Sequence, residues 1–174
     1  CEALLERYRD DERIWSICGN GYQNQISKNE ESYFFSKYTD VWGWATWKRC
    51  WKFYDPNIES WINNRTKPLL KDLFESKREL KYWNKIFNRL YYKNQPNTWD
   101  YQWQYLCFIK SGMSCMPFAN LVKNIGFDKD ATHTVDDPFK VIYNGNQNIR
   151  LNFPLKHPNK FSVSKDCDQE LQKL

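Results

Sequence analysis

Ile14-Trp15-Ser16-Ile17-Cys18, followed at once by Gly19-Asn20-Gly21, is a short apolar run rich in β-formers that stops abruptly. A buried strand whose end opens into a loop gives this pattern, and a ligand can meet the sheet at such an end. Before it, Ala3, Leu4, Leu5 and Tyr8 form one stripe at helical spacing across Cys1 to Arg9, and Asp10-Asp11-Glu12 breaks the stripe, so a helix and a turn lead into the strand. After it, Gln23 to Ser32 is polar and aperiodic, and Tyr33-Phe34-Phe35-Ser36 is a second strand candidate.

Further along, Trp47, Trp51 and Tyr54 recur at helical spacing over Ala45 to Tyr54, with Asp55-Pro56 closing the segment. Helices also fit Lys67 to Glu75 and Arg78 to Tyr92, the latter with Leu80, Trp83, Phe87, Leu90 and Tyr91 on one face. Thr98 is placed to cap a helix from Trp99 to about Lys110, which Ser111-Gly112 ends. Met113 to Met116 is a third strand candidate and Leu121-Val122 a fourth. Beyond Asn124 the chain is rich in Asp, Asn, Pro and Gly, and Ser162 to Leu174 reads as a surface tail or a short terminal helix. The fold class is therefore α/β, helix-rich with a few short strands that need partners to make a sheet. One domain over residues 1–158 is expected, with 159–174 as a C-terminal tail.

A hydrophobic share of 41% beside a mean hydropathy of -0.86 is explained by the 18% aromatic content, because Trp and Tyr score as polar while burying large areas. Nine Trp exceed what packing alone demands, and indole faces stack on sugars and bases. The net charge of +5 favours an anionic partner without selecting one, and read along the chain the Lys and Arg are interspersed with acids, which speaks against a nucleic-acid grip. The six cysteines show neither C-x-x-C pairs nor zinc-site spacing, so a reduced compartment is the simpler reading, with Cys18, Cys107 and Cys115 as core hydrophobes and disulfides left open by the even count. No run reaches the roughly 18 apolar residues of a membrane span. There is no phosphate-cradling glycine loop, no Ser/His/Asp series and no H-E-x-x-H, which removes the usual kinase and hydrolase readings.

Three constellations remain. Gly43 between Trp42 and Trp44 either lets rings pack or lets a ligand approach the backbone. Asp100, at the first turn of its helix, either serves that end electrostatically or, set among Trp99 and Trp103, is desolvated into a better base beside a ring surface. His133, after the acidic loop Asp128 to Thr132, is an ordinary surface residue or a ligand for a metal or phosphate oxygen.

Taken in order, Trp42-Gly43-Trp44-Ala45-Thr46-Trp47, Thr98-Trp99-Asp100-Tyr101-Gln102-Trp103, Asn120-Leu121-Val122 with Asn124-Ile125-Gly126-Phe127, and Asp130-Ala131-Thr132-His133-Thr134 resemble bacterial GT-A-fold glycosyltransferases of the family-2-like, hemolytic-protein-like type over about residues 1–158. A more distant similarity is to N-acetylglucosaminyltransferase I, with Cys115-Met116-Pro117 and Gly126-Phe127 in matching order. The resemblance implies the C-terminal, acceptor-side portion of such a fold, with Asp100 as catalytic base and Trp42, Gly43, Trp44, Trp99 and His133 binding substrate. It implies an inverting transfer from a nucleotide-sugar donor to a glycan acceptor in surface polysaccharide synthesis. A divalent cation, Mg or Mn, would be held by an acidic cluster that relatives carry before the helix matching Cys1 to Arg9. This chain has no such cluster, so the N-terminal nucleotide-binding half is expected to be missing, no metal ligand is assigned, and the isolated chain is expected to be inactive. The implied location is cytoplasmic, at most peripheral to the inner membrane, with no transmembrane segment. The alternatives are a noncatalytic carbohydrate-binding module using exposed tryptophans and a basic nucleic-acid-binding domain.

Overall fold

The computed structural model describes residues 1–21, 31–122 and 151–172. Among them, α1 (Glu2–Arg7), β1 (Ile14–Ile17), β2 (Tyr33–Ser36), α2 (Lys48–Trp51), α3 (Trp61–Asn64), α4 (Pro68–Leu73), α5 (Lys77–Lys93), α6 (Asp100–Ile109), β3 (Met113–Pro117) and α7 (Lys165–Leu171) follow in chain order. The class is mixed α/β, as the sequence pattern predicts. No described helix is long and apolar enough to cross a membrane.

The three strands form one sheet in the order β1-β3-β2. The central β3 runs parallel to β1, with Ile17 beside Cys115, and antiparallel to β2, with Tyr33 beside Pro117 and Ser36 beside Ser114. Both faces are covered, which is why the strands read as continuous apolar runs and not as alternation. On one face α1 sets Tyr8, with Leu4 and Leu5, against Ile14, Ile17, Tyr33, Phe35 and Cys115. On the other lies α6, buried from Gln102 through Phe108, and outside it α5 adds Phe87 and Leu90 to a second cluster with Phe34, Tyr105, Phe108 and Met116. The core is aromatic, as expected: Trp61, Trp103, Tyr33, Phe35 and Phe108 are among its largest wholly buried side chains.

Two residues that the sequence reading did not single out bound α5. Ser76 caps α5 by accepting from the Glu79 N–H at 3.1 Å, and Asn94 ends it in the left-handed region. At the end of α6 it is Ser111, at φ +52°, that takes the left-handed turn expected of Gly112. Gly112 has a different necessity: a Cβ there would lie 2.5 Å from the indole of Trp15.

Three expectations are corrected. The N-cap position expected of Thr98 falls on Trp99, which makes no side-chain capping bond, because α6 begins at Asp100 and the Thr98 hydroxyl turns to the Asp100 side chain. The helix predicted from Ala45 to Tyr54 is confined to Lys48–Trp51. Ala45 instead exchanges two backbone hydrogen bonds of 2.8 Å with Ile17, and the Thr46 hydroxyl donates to the Trp15 carbonyl at 2.6 Å, so edge pairing to β1 takes the residues that would have begun the helix. Leu121-Val122 is not a strand: the Leu121 N–H donates to the Gly19 carbonyl and the Val122 N–H to Asn120 Oδ1, leaving no ladder to join. The short helix α3 carries too few residues for a periodic signal.

All six cysteines are free thiols. Burial pushes the Cys18 thiol up to about 12 and raises Cys107 and Cys115 as well, so these act as small hydrophobes. His157 accepts or donates at 2.9 Å to the Tyr33 hydroxyl and belongs to the α1 face of the sheet.

The end of the chain takes the helical form. The Ser164 N–H bonds the outer edge of β2 at the Phe35 carbonyl, and α7 then buries Cys167 and Asp168. Asp168 accepts from the Ser36 hydroxyl at 2.5 Å and the Lys37 N–H at 3.3 Å. Beside it, the Lys37 ammonium pairs with buried Glu79 at 2.9 Å. Burial, only partly offset by these hydrogen bonds, raises the Asp168 carboxyl to about 6 from an ordinary 3.8. A raised acid binds its proton in the folded chain before the unfolded one does. Its contribution therefore increases stability as pH falls from about 6 towards 4, and is unfavourable above 6. Thermal unfolding across this window should show wild type gaining on Asp168→Asn as the pH drops; a constant gap between the two would contradict it.

Candidate functional site

Trp103 organises the site from inside. It is wholly buried, its Nε1–H donates to Ser16 Oγ at 3.0 Å, and its ring lies 5.3 Å from Trp51, 5.6 Å from Trp44 and 6.2 Å from Trp15. One turn earlier on α6, Trp99 stacks on Trp44 at 5.3 Å and 28°. Trp51 in turn stacks on Tyr54 at 4.5 Å and 4°. Trp99 and Trp51 remain 42% and 40% exposed, so this cluster is core at Trp103 and surface at Trp99. Of Trp99 and Trp103, only Trp99 can meet a solute.

Asp100 is the first residue of α6 and is half-buried. Its Oδ1 accepts from the Tyr101 N–H at 2.9 Å and from the Thr98 hydroxyl; among the described residues nothing donates to Oδ2. The helix-start reading and the reactive reading are thus divided between the two oxygens: one is held by the helix end, the other is uncommitted. The phenol of Tyr54 is near enough to feel this carboxylate. Burial first, then the charges of Asp100 and Asp55, raise it above the usual tyrosine value, and its hydroxyl donates to the Trp99 carbonyl at 3.2 Å. Gln102, which sequence reasoning passed over, is buried two residues on; its Nε2 donates to the Thr98 carbonyl at 2.6 Å, while Oε1 has no partner among the described residues. The signal for it was only its place on the inward face of a nearly all-buried helix.

The Trp42-Gly43-Trp44 turn is fixed by its neighbours. Asp40 Oδ1 accepts from the Trp42 N–H at 2.8 Å, and Asp40 Oδ2 from the Asn20 side chain at 3.3 Å, which ties this turn to the loop after β1. Gly43 sits at φ +60°, and a Cβ there would lie 2.4 Å from Val122 Cγ2. Close packing, not ligand approach, explains the glycine in this structure. On one side of the turn Gly43 meets Val122 and Cys1; on the other Trp44 meets Trp99.

That first side borders a cavity of about 870 Å³ at the ends of β1 and β3, lined by Cys1, Leu4, Ile17, Tyr33, Val122 and Phe153 among others. The expectation that a ligand can meet the sheet beyond Cys18 falls on this cavity. Asp100 does not line it; the ring contact of Trp44 with Trp99 is what links the turn to the start of α6, where Asp100 follows Trp99 in the chain. His133 lies outside the described residues, as does the whole Asn124 to Thr134 segment. Among the described residues no three or more His, Cys, Asp or Glu side chains assemble into a cation site. No protein family matches the chain, and neither a curated protein nor a solved structure does.

Replacing Gly43 by Ala should cost about 2 kcal/mol or more, from the left-handed backbone and the collision with Val122 together. Gly43→Ala combined with Val122→Ala should recover only the collision part in chemical denaturation. Full recovery would show that the backbone conformation is not a constraint.

Proposed function

We propose that this chain is the acceptor-side part of an inverting nucleotide-sugar glycosyltransferase, with Asp100 as the base. The observation that carries it is the half-buried carboxylate whose Oδ2 has no donor among the described residues, one residue from an exposed indole stacked on Trp44. The ordered resemblance of the four segments Trp42 to Trp47, Thr98 to Trp103, Asn120 to Phe127 and Asp130 to Thr134 to GT-A enzymes supports the same reading.

Chemically, a sugar seated on the face of Trp99 presents hydroxyls at the ring edge, within reach of the neighbouring carboxylate. Asp100 accepts the hydroxyl proton as that oxygen attacks the anomeric carbon of the donor; the bond from that carbon to the diphosphate breaks, the diphosphate leaves with the electron pair, and configuration inverts. Tyr101 N–H and the Thr98 hydroxyl hold Oδ1 and thereby aim the other oxygen. Donor binding and a divalent Mg or Mn ion belong, on the resemblance, to an acidic segment. The described residues assemble no cluster of His, Cys, Asp or Glu that would hold such an ion.

In a transferase carrying this segment, Asp100→Asn should lower turnover by about a hundredfold to ten-thousandfold while donor affinity is kept. Turnover at the wild-type rate would remove Asp100 from the reaction.

A second reading is favoured by the exposure of Trp51 and Trp99: a noncatalytic glycan-binding surface. It predicts glycan retention that is lost in Trp99→Ala, is indifferent to Asp100→Asn and needs no donor.

A further inference from the structure

The positive charge of this chain is not evenly spread in space. Along α5, Lys77, Lys81, Lys85, Arg89 and Lys93 recur at every fourth residue, with Arg78 beside them, and all six are exposed. At about 100° per residue these cations, with Tyr82, Asn88 and Tyr92, occupy a continuous arc of roughly 160°. The opposite arc carries Leu80, Trp83, Phe87 and Leu90 into the core. The sole acid of the helix, Glu79, is buried and paired with Lys37. None of the six cations forms an ion pair with a described acid. The six cations of this one ridge exceed the net charge of the whole chain, +5, a concentration that reading the charges along the chain conceals.

Stability does not account for it. Like charges four residues apart destabilise a helix, and here there are four successive such pairs. Glutamates at alternate positions would have served α5 better. A ridge kept at that cost has an anionic partner.

We propose that the outer face of α5 lies against an anionic phospholipid bilayer surface. The shape favours a plane. Asn84, Asn88 and the cations Lys81, Lys85, Arg89 and Lys93 line a shallow groove of about 440 Å³ to which every lining residue comes from α5, so no second element walls it in. A straight convex row about 25 Å long can lay its cations on a flat sheet of headgroups, whereas a nucleic-acid strand is normally gripped in a walled channel or by a helix entering a groove. Tyr82 and Tyr92, 49% and 58% exposed on the same arc, place amphipathic rings where the headgroup region accommodates them. The apolar face of the helix is already used by the core, so attachment is electrostatic and reversible, each cation strengthening it by about a factor of five. This surface is separate from Asp100 and does not depend on the chain being a transferase.

The test is co-sedimentation of the chain with vesicles of phosphatidylcholine alone and of phosphatidylcholine mixed with phosphatidylglycerol, in low and high salt. Binding should require phosphatidylglycerol, weaken steeply with salt, and fall about a hundredfold in the triple variant Lys81→Gln, Lys85→Gln, Arg89→Gln. That variant should unfold at the same temperature as wild type or higher, since it relieves repulsion. Equal binding to both vesicle types, or unchanged binding by the triple variant, would overturn the proposal. Displacement from the vesicles by a short DNA duplex at lower concentration than by free phosphatidylglycerol vesicles would overturn it in favour of a nucleic-acid contact.

Discussion

The hydrogen bond from the Trp103 indole to Ser16 Oγ, made with both groups wholly buried, is the contact on which the rest of the structure turns. It fixes the rotation of α6 against β1, and an indole in that position leaves space that only other large rings fill. Trp15, Trp44 and Trp51 do so. Once α6 is set, its first residue is set, and with it the direction of the Asp100 carboxylate and the face of Trp99. A buried polar pair of this kind must be satisfied in full, which makes the register of helix on sheet specific where apolar packing alone would tolerate sliding.

From that anchor the chemistry follows by neighbourhood. The edge of β1 recruits Ala45 and Thr46, which draws the Trp42-Gly43-Trp44 turn up beside the strand end. Arg49 secures the other side, its guanidinium donating to the carbonyls of Tyr8, Arg9, Asp11 and Ile14. The turn then stands between two surfaces of different character: Gly43 meets Val122 and Cys1, which line the cavity, and Trp44 joins the ring patch with Trp99. The proposed proton transfer would draw on the second and not the first, because a carboxylate aids such a step only where a hydroxyl can reach it.

How much of this could be read from residues alone depends on the range of the interaction. The strands and the helices α1, α4, α5 and α6 were legible because their signals are local: apolar runs closed by Gly or Pro and a 3.6-residue stripe. Ala45 and Leu121 were misread because each spends its backbone hydrogen bonds on a residue distant in the chain, Ile17 and Gly19, and propensity carries no record of that. Trp44, Trp51, Trp99 and Trp103, named from the sequence, do meet in one ring cluster, yet which ring is core and which is surface was decided by the Ser16 contact, which has no sequence signature. The ridge on α5 was present in the spacing all along, but intervening apolar residues hid it from a reading that counts charges in order instead of by helix face.

The central claim is that the free oxygen of Asp100 is open to a sugar lying on Trp99. Carbon-13 NMR of labelled aspartate carboxyls, during titration with simple methyl pyranosides, tests this most directly. The Asp100 signal should move with added sugar in the wild-type chain and stay still in Trp99→Ala, while the Asp168 signal is unaffected in both. An Asp100 carboxyl that ignores the sugar while saturation transfer shows the sugar bound elsewhere would contradict the account.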